Sequence, residues 1–213
     1  MKNINNGPLA TIIITNYNKT NFILESVKSC LKQDYKNKEI IFFDDKSSDN
    51  SLNKIKDFKK KNKYNFKIIS NSSKKKDFAT FNHIKAIKKS LAEAKGKYIF
   101  LLDSDDYFHS NKIKKIIKTF ENNKKYKFIL DQPIFKFKKK LIKKKFQYKV
   151  SKNKWPKFPP TSCMCFEKKT LKDVLKKISF KKFPNLAIDF RLAVFYSLVL
   201  KKFYIHKSYL TYY

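Results

Sequence analysis

The sequence is poor in glycine, cysteine and acidic side chains, and it lacks any long hydrophobic segment. Glycine occurs only twice in 213 residues, whereas lysine, phenylalanine and tyrosine recur throughout, which is the usage expected from an AT-rich gene. The three cysteines are an odd number and have no zinc-ligand spacing. They therefore predict buried free thiols in a reducing compartment, and not a disulfide framework or a zinc site.

No apolar run approaches the roughly 20 residues that a membrane-spanning helix needs. The first apolar run follows the polar segment Lys2 to Asn6 and is too short for a signal peptide. The late apolar stretch is interrupted by Asp189 and Arg191. These features predict a cytoplasmic protein that is either soluble or in peripheral contact with the inner face of the cell membrane.

Acidic side chains number only 17 against 51 lysines and arginines, so the formal net charge is +34. Such a charge is typical of proteins that bind nucleic acid or an anionic membrane. The lysines are spread over the whole chain, however, which favours a compositional origin over a nucleic-acid partner. Because 42% of the residues are hydrophobic and 16% aromatic, a disordered polycation is excluded and one domain with a substantial core is expected.

Three continuous apolar runs have the pattern of strands buried on both faces of a sheet. They are Leu9 to Thr15, Glu39 to Phe43 and Tyr98 to Leu102. A shorter strand at Phe66 to Ser70 and helices at about 21–31, 49–58 and 80–94 are predicted between these runs. Repeated strand–helix alternation predicts an α/β fold in which a mostly parallel central sheet is flanked by helices.

Two of these predicted strands run directly into carboxylates. Asp44 and Asp45 follow the second run, and Asp103, Asp105 and Asp106 follow the last. Parallel strands place their carboxyl ends at one sheet edge, so both groups are expected to face a common cleft. Carboxylates this close repel one another without a cation, and hard oxygen ligands suit Mg²⁺ or Mn²⁺. The alternative is a solvated acidic turn that caps the next helix.

The second half has a less regular pattern. A helix is predicted at about 111–122, strands at Tyr126 to Asp131 and Ile134 to Phe137, a strand at Thr161 to Phe166, helices at 169–178 and 186–200, and closing strands at 203–206 and 210–213. The basic run Lys138 to Lys149 predicts a solvated surface hairpin or loop, with an acceptor- or membrane-facing role as the alternative.

Taken in order, these segments resemble the family 2 inverting glycosyltransferases, which have the GT-A fold. The resemblance rests on TIIITNYNK at the first strand, EIIFFDDKSSDNS at the second and AEAKGKYIFLLDSDDYF, which is similar to the family's strand and DxD motif. NLAIDFRLAVFY resembles the segment that carries the family's catalytic base, and YIHKSYLTYY its final strands. The match covers nearly the whole chain.

The resemblance implies a single domain over 1–213, with a Rossmann-like nucleotide-sugar-binding half at about 1–110 and a small acceptor-side half at about 111–213. Many members continue beyond the position of Tyr213, so a C-terminal extension is expected to be missing or supplied differently. The implied activity is metal-dependent transfer of a sugar, most commonly from a UDP-sugar, to a glycan or lipid-linked acceptor in surface-polysaccharide or related glycan assembly.

Roles are implied for individual residues as well. The metal, Mn²⁺ or Mg²⁺, would be held by Asp103, Asp105 and Asp106. The nucleotide would be contacted by Thr15, Tyr17, Asp44, Asp45, Asp103 and Ser104, with the choice between Asp44 and Asp45 left open. Asp189 would be the catalytic base, and its alternative role is that of an acid favoured by the dipole of a helix N-terminus.

The chain departs from the family pattern before the third predicted helix. The segment DFATFNHIK keeps only Asn82 of the family's Ala-Arg-Asn residues, and Ile188 stands where Glu often precedes the base. Lys75, Lys76 and His83 are candidates to replace the missing diphosphate contacts. Two other functions stay open: a basic protein that binds nucleic acid or anionic membrane, and a degenerate family member that binds a nucleotide without transferring sugar.

Overall fold

The computed structural model describes residues 7–72, 78–138, 140–148, 156–179 and 182–213. The strands in these ranges are β1 (Ala10–Asn16), β2 (Lys38–Asp44), β3 (Lys67–Ser70), β4 (Tyr98–Asp103), β5 (Tyr107–Phe108), β6 (Phe128–Phe137), β7 (Lys140–Lys143), β8 (Met164–Glu167) and β9 (Phe203–Tyr212). The α-helices are α1 (Ile23–Leu31), α2 (Ser51–Lys61), α3 (Ala79–Glu93), α4 (Lys112–Asn122), α5 (Lys168–Lys177) and α6 (Ile188–Val194). A 3₁₀ turn at Thr161–Cys163 precedes β8, and a π-helical turn at Phe195–Val199 extends α6.

All nine strands join one sheet in the order β3-β2-β1-β4-β8-β6-β9-β5, and β7 pairs with β6. The pairs β3–β2, β2–β1 and β1–β4 are parallel, as the strand–helix alternation predicts. Beyond β4 the sheet is mixed, because β8 runs antiparallel to both β4 and β6 whereas β6 and β9 run parallel. The predicted α/β class is confirmed, with the continuous parallel block confined to the first half of the chain.

Helices cover both faces of this sheet. Alternate side chains of β1 enter different cores, since Ile12 and Ile14 pack with α1, α2 and α4, while Ile13 packs with α3, α5 and α6. A strand buried on both sides needs apolar residues at consecutive positions, which explains the unbroken run at Ile12 to Ile14.

The register of the parallel strands brings the polar strand ends together. Asn16 at the end of β1 lies opposite Asp44 of β2, and Thr15 lies opposite Asp103 of β4. The predicted convergence of both acidic groups at one sheet edge is therefore confirmed.

Three strand boundaries predicted in the second half are wrong. The strands expected on either side of Gln132 and Pro133 form the single strand β6, and the two closing strands form the single strand β9. The β6–β9 register shifts at Gln132 and Pro133, and this irregularity accommodates a proline that cannot donate to the ladder. The strand expected to begin at Thr161 begins instead at Met164, after the 3₁₀ turn.

One of the two glycines occupies a position that no larger residue fits. A Cβ on Gly96 would lie 2.6 Å from both the backbone nitrogen and the Oγ1 of Thr11 in β1. Gly96 N also donates to Thr11 Oγ1 at 2.9 Å, so the chain enters β4 in close contact with its neighbouring strand.

Candidate active site

A cavity of about 710 Å³ opens at the carboxyl ends of the parallel strands, and we call it the first cavity. Seven of the predicted site residues line it: Thr15, Tyr17, Asp45, Asp103, Ser104, Asp105 and Asp106. A second cavity of about 340 Å³ is lined by Asp189. The two cavities share Ala79, His83, Asp103 and Tyr213, so they adjoin each other. The structure thus brings seven predicted residues to the first cavity and Asp189 to the adjoining one.

The two aspartates after β2 have different surroundings. Asp44 is fully buried, and its carboxylate accepts hydrogen bonds from Asn16 Nδ2 at 2.8 Å and from Ser47 Oγ at 2.7 Å. Asp45 lines the first cavity and accepts a hydrogen bond from Asn71 Nδ2 at 2.7 Å. The carboxylate of Asp44 therefore ties the end of β1 to the turn after β2, and Asp45 is the one of the two that lines the cavity.

The loop after β1 is bonded tightly to the loop after β2. Asn18 has a positive φ of 53°, a conformation that asparagine tolerates better than most residues. Its backbone nitrogen donates to Ser47 Oγ at 3.0 Å, and its Oδ1 accepts from Ser48 N at 2.8 Å. These bonds order the backbone beside Tyr17, whose half-exposed ring lines the first cavity.

Asp103 is held in place by two polar side chains. Its Oδ1 accepts a hydrogen bond from Thr15 Oγ1 at 2.9 Å and lies 3.3 Å from His83 Nε2. Burial alone would raise the pKa of Asp103, but the charge and hydrogen bond of His83, together with Thr15, lower it. Burial likewise opposes the protonation of His83, and Asp103 outweighs it and raises the pKa of the imidazole. Asp103 is therefore an ionised carboxylate at the junction of the two cavities.

Asp105 already pairs with a cation of the protein. Lys19 Nζ lies 2.7 Å from Asp105 Oδ2 at the wall of the first cavity. Both side chains keep about 40% of their surface exposed, at 42% for Lys19 and 37% for Asp105. Lys19 could not be identified as a site residue from the sequence, because a lysine in so basic a chain carries no distinguishing signal.

Asp106 is almost fully buried in the wall of the first cavity. Its Oδ2 accepts a hydrogen bond from the buried Ser162 Oγ at 2.5 Å, and the same Oγ accepts one from Asp103 N at 3.0 Å. Burial, with the charges of Asp103 and Asp105, raises the pKa of Asp106 to about 7 despite the bond from Ser162. Ser162 thus connects both ends of the acidic turn to the 3₁₀ turn before β8.

A fully buried ion pair lies beneath this turn. Lys112 Nζ is 2.7 Å from Asp131 Oδ2 and donates to Thr211 Oγ1 at 2.7 Å and to the Ser162 carbonyl oxygen at 2.6 Å. Burial opposes the charge of Lys112, but Asp131 outweighs it and raises the lysine's pKa. Because each buried charge has several partners, the network joins α4, β6 and β9 to the turn that holds Ser162.

Removal of the Ser162 hydroxyl is expected to weaken the acidic turn. In Ser162→Ala, the Asp106 carboxylate and Asp103 N each lose a buried partner, so we expect the free energy of unfolding in urea to fall by about 1–3 kcal/mol. Ser90→Ala is the matched control, since Ser90 is equally buried and its Oγ has no hydrogen-bond partner among the described residues. Equal losses in the two variants would contradict the anchoring role of Ser162.

The carboxylate oxygens at the first cavity fit a divalent cation whose remaining ligands come from a bound substrate and water. Among the described residues, no three histidine, cysteine, aspartate or glutamate side chains converge as a ready-made metal site. The carboxylates of Asp103 and Asp105 nevertheless both line the cavity, and Mg²⁺ is commonly held by one or two carboxylates plus substrate phosphates and water. The role of Asp106 as a third metal ligand stays a prediction. It would bind the metal through the carboxylate oxygen that does not accept the hydrogen bond from Ser162.

Asp189 is the second residue of α6 and lines the second cavity with Thr161 and Tyr213. Its Oδ1 accepts a hydrogen bond from Phe190 N at 2.6 Å. Burial is the largest influence on the pKa of Asp189 and raises it, and the negative charge of Asp103 acts in the same direction. The hydrogen bond from Phe190 N lowers the pKa but only partly offsets these effects, so the pKa lies above its ordinary value. A carboxylate with a raised pKa beside an open cavity is suited to accept a proton.

The other candidates for diphosphate contacts fall in two places, and one further residue joins the site. Lys75 and Lys76 lie outside the described residues. Asn82 and His83 line the first cavity, in agreement with their expected location. Tyr213 lines both cavities and was not identified from the sequence, because a tyrosine in a strand carries no signal of its own beyond core packing.

Comparison with known proteins gives a consistent result. The family model "Glycosyl transferase family 2" matches residues 11–192. The putative glycosyltransferase EpsE of Bacillus subtilis is 32% identical over 126 residues, which are 59% of this chain and 43% of that protein. The Escherichia coli enzyme WfaP, named as a UDP-Glc:alpha-D-GlcNAc-diphosphoundecaprenol beta-1,3-glucosyltransferase, is 40% identical over 119 residues, which are 54% of this chain and 43% of that enzyme. The chain thus spans less than half the length of these curated relatives.

Solved structures share the fold over almost all of the chain. S. aureus TarS 1-349 in complex with UDP matches with a TM-score of 0.71 at 18% identity, over 96% of this chain and 60% of that one. The mannosyltransferase PcManGT of Pyrobaculum calidifontis, in complex with GDP-Man and Mn²⁺, matches with a TM-score of 0.61 at 12% identity, over 95% of this chain and 55% of that one. These likenesses confirm the predicted GT-A architecture.

Proposed function

Because the chain belongs to glycosyl transferase family 2, we propose that it transfers a sugar from a nucleotide-diphosphate sugar to an acceptor hydroxyl with inversion. The observation that carries this proposal is the pair of adjoining cavities that share Asp103. The first holds the carboxylates suited to a nucleotide diphosphate and its metal, and the second holds one carboxylate suited to act as a base. Donor and acceptor would meet at the shared wall.

The nucleotide would lie in the first cavity. Asp45 is placed to accept hydrogen bonds from the base or ribose, Tyr17 to pack against the nucleotide, and Thr15 and Ser104 to border it. Asp44 would act indirectly by holding the turn beside Asp45. UDP is the proposed nucleotide, since WfaP is named for UDP-Glc and TarS has been solved with UDP and with UDP-GlcNAc.

Asp103 and Asp105 would hold the divalent ion. When bound, Mn²⁺ or Mg²⁺ supplies positive charge that stabilises the departing diphosphate without a proton. Lys19 would have to leave the carboxylate of Asp105 for the ion to bind there, and it would remain close enough to face the phosphates. Thr15 and His83 would keep the carboxylate of Asp103 oriented toward the cavity.

Asp189 would take the proton of the acceptor hydroxyl. As that proton leaves, the acceptor oxygen forms the new bond to the sugar carbon while the bond from this carbon to the diphosphate oxygen breaks, with its electron pair remaining on the diphosphate. Attack from the side opposite the leaving group inverts the carbon, so the base belongs in the second cavity, across the shared wall from the nucleotide.

A lipid-linked glycan is the proposed acceptor, because WfaP is named for a diphosphoundecaprenol-linked sugar. Within the described residues, no helix has both the length and the apolar character to cross a membrane. We propose that the protein acts in the cytoplasm, in glycan or surface-polysaccharide assembly, and meets such an acceptor through peripheral contact with the anionic inner face of the membrane.

Calorimetric titration of UDP tests the donor site. We expect saturable binding in Mn²⁺ that EDTA removes and that persists when the salt concentration is raised, because a cavity with directed ligands holds the nucleotide. Binding that ignores the metal and declines steeply with salt would reflect the net charge of +34 alone. That result would reject the proposed donor site and favour a basic binding protein.

A further inference from the structure

The strands β6 and β7 form an antiparallel hairpin that exposes apolar side chains. We call residues 134–138 and 140–145 the basic hairpin. Phe137, Leu141 and Ile142 are 66%, 58% and 54% exposed, values far above those of the sheet core. The pairs Phe135–Ile142 and Phe137–Lys140 place Phe135, Phe137 and Ile142 on one face of the hairpin, while Leu141 lies on the other.

The same hairpin is strongly cationic. The sequence from Gln132 to Phe166 contains no acidic residue, and seven lysines lie between Ile134 and Lys145. Lys136 lies 3.7 Å from Glu25, and the described residues provide no ion pair for the hairpin's other lysines. The exposed apolar side chains are therefore surrounded by uncompensated positive charge.

The base of the hairpin is held firmly. The side chain of Gln132 donates to the Phe146 carbonyl oxygen at 3.1 Å and accepts from Phe146 N at 2.7 Å, so the returning chain is bonded to β6. The ammonium of Lys144 lies 5.9 Å from the Phe135 ring and 5.5 Å from the Phe146 ring. A hairpin with these contacts presents a defined surface.

This surface continues from the wall of both cavities. Tyr213, which lines both, donates from its backbone nitrogen to the Ile134 carbonyl oxygen at 2.9 Å and accepts from Lys136 N at 2.9 Å. The next residues of β6 form the exposed part of the hairpin. A molecule bound to the hairpin would thus lie one strand away from the shared wall.

We infer that the basic hairpin docks on an anionic lipid surface. Its lysines match the charge of the headgroups, and Phe137 and Ile142, which share one face, can enter the boundary between headgroups and acyl chains. Lipid fits better than single-stranded nucleic acid, because bases stack on aromatic rings and two of the three exposed side chains are aliphatic. Docking here would bring a lipid-linked acceptor to the second cavity, a consequence that rests on the proposed function.

Co-sedimentation with vesicles tests this surface. The full chain is mixed with vesicles of phosphatidylcholine alone or of phosphatidylcholine with phosphatidylglycerol, and we expect binding only to the anionic vesicles. Phe137→Gln with Ile142→Gln should weaken that binding about tenfold, because the inserted apolar area is lost. The control pair Phe183→Gln with Val199→Gln removes side chains of similar exposure, 73% and 62%, outside the hairpin and should change binding less than about twofold.

Charge is tested with matched triple variants. Lys138→Gln, Lys140→Gln and Lys144→Gln should together weaken binding by at least about tenfold, since each lysine near an anionic surface contributes about fivefold. Lys60→Gln, Lys61→Gln and Lys63→Gln lower the net charge equally at exposed positions on and just after α2. A much smaller effect is expected there, because these residues lie outside the hairpin.

Several outcomes would overturn the inference. Equal effects of hairpin and control variants would show that net charge alone drives binding. Hairpin variants that keep vesicle binding but lose binding to an RNA homopolymer, or that lose self-association of the free protein, would assign the surface to another partner. UDP titration separates the failure of this inference from the failure of the proposed function. Hairpin variants that lose vesicle binding and bind UDP normally support the hairpin as a separate lipid-binding surface. If the unmodified chain binds vesicles but not UDP, the proposed donor site is rejected and the docking surface is not.

Discussion

Asp105→Asn is expected to abolish the metal-dependent binding of UDP while leaving the protein folded. The substitution removes one of the two cavity carboxylates proposed to hold the divalent ion, and an amide oxygen without a negative charge is a much poorer ligand. The fold should tolerate the change, because the lost Lys19–Asp105 pair lies at the solvent-accessible wall of the cavity and such surface pairs contribute about 0–1 kcal/mol. Calorimetry with UDP and Mn²⁺, together with thermal melting, measures both effects.

Asp57→Asn provides the control for this substitution. Asp57 is an exposed residue of α2 and does not line either cavity, so the same change in charge and shape should leave UDP binding unaltered. If Asp105→Asn binds UDP in Mn²⁺ as tightly as the unmodified chain does, Asp105 is not a metal ligand. If both variants lose affinity equally, the effect comes from overall charge.

Asp189→Asn is expected to lower the turnover number by at least about 10²-fold and to leave donor binding intact. General-base catalysis contributes on this scale, and an amide cannot accept the proton of the acceptor hydroxyl. Asp189 lines the second cavity and not the first, so UDP affinity should stay within the error of calorimetry. Normal turnover in this variant would reject Asp189 as the base.

The pH dependence of turnover supplies an independent check. A base must be deprotonated to act, and the pKa of Asp189 is raised above its ordinary value of 3.8. Turnover should therefore be present above this raised pKa and fall as the pH decreases through it, and the residual turnover of Asp189→Asn should lack that limb. Asp173→Asn, at an exposed position of α5, is the control that should keep both the rate and the pH profile.

The parallel half of the fold was predictable from sequence to within three residues at each boundary, with the largest difference at the end of α2. The runs Ile12 to Ile14 and Tyr98 to Leu102 are apolar at consecutive positions because both faces of these strands are buried, and such runs are hard to mistake. The mixed half was less predictable. Strand β6 continues through Gln132 and Pro133 because a register shift with β9 accommodates them, and this depends on the partner residues Tyr209 and Thr211, which lie 77 and 78 positions further along the chain.

The sequence predicted which residues line the site better than it predicted the role of each one. Seven predicted residues line the first cavity and Asp189 lines the second, but sequence did not separate Asp45 from Asp44. That distinction depends on Asn16 and Ser47, whose hydrogen bonds turn the carboxylate of Asp44 inward. Ser162 and Lys112 carried no signal, since a serine in a loop and a lysine in a lysine-rich chain are unremarkable until their burial is known.

Local sequence patterns were enough to predict the α/β class, the convergence of the acidic strand ends and the family, because apolar periodicity and short motifs are local properties of the chain. Three-dimensional packing was needed to learn which carboxylates face a cavity, which are held by buried partners, and where exposed apolar side chains lie beside lysines that form no ion pair within the described residues. These properties depend on contacts between residues far apart in sequence. Asp106 and Ser162, 56 positions apart, are 2.5 Å apart only because the sheet order places β8 beside β4.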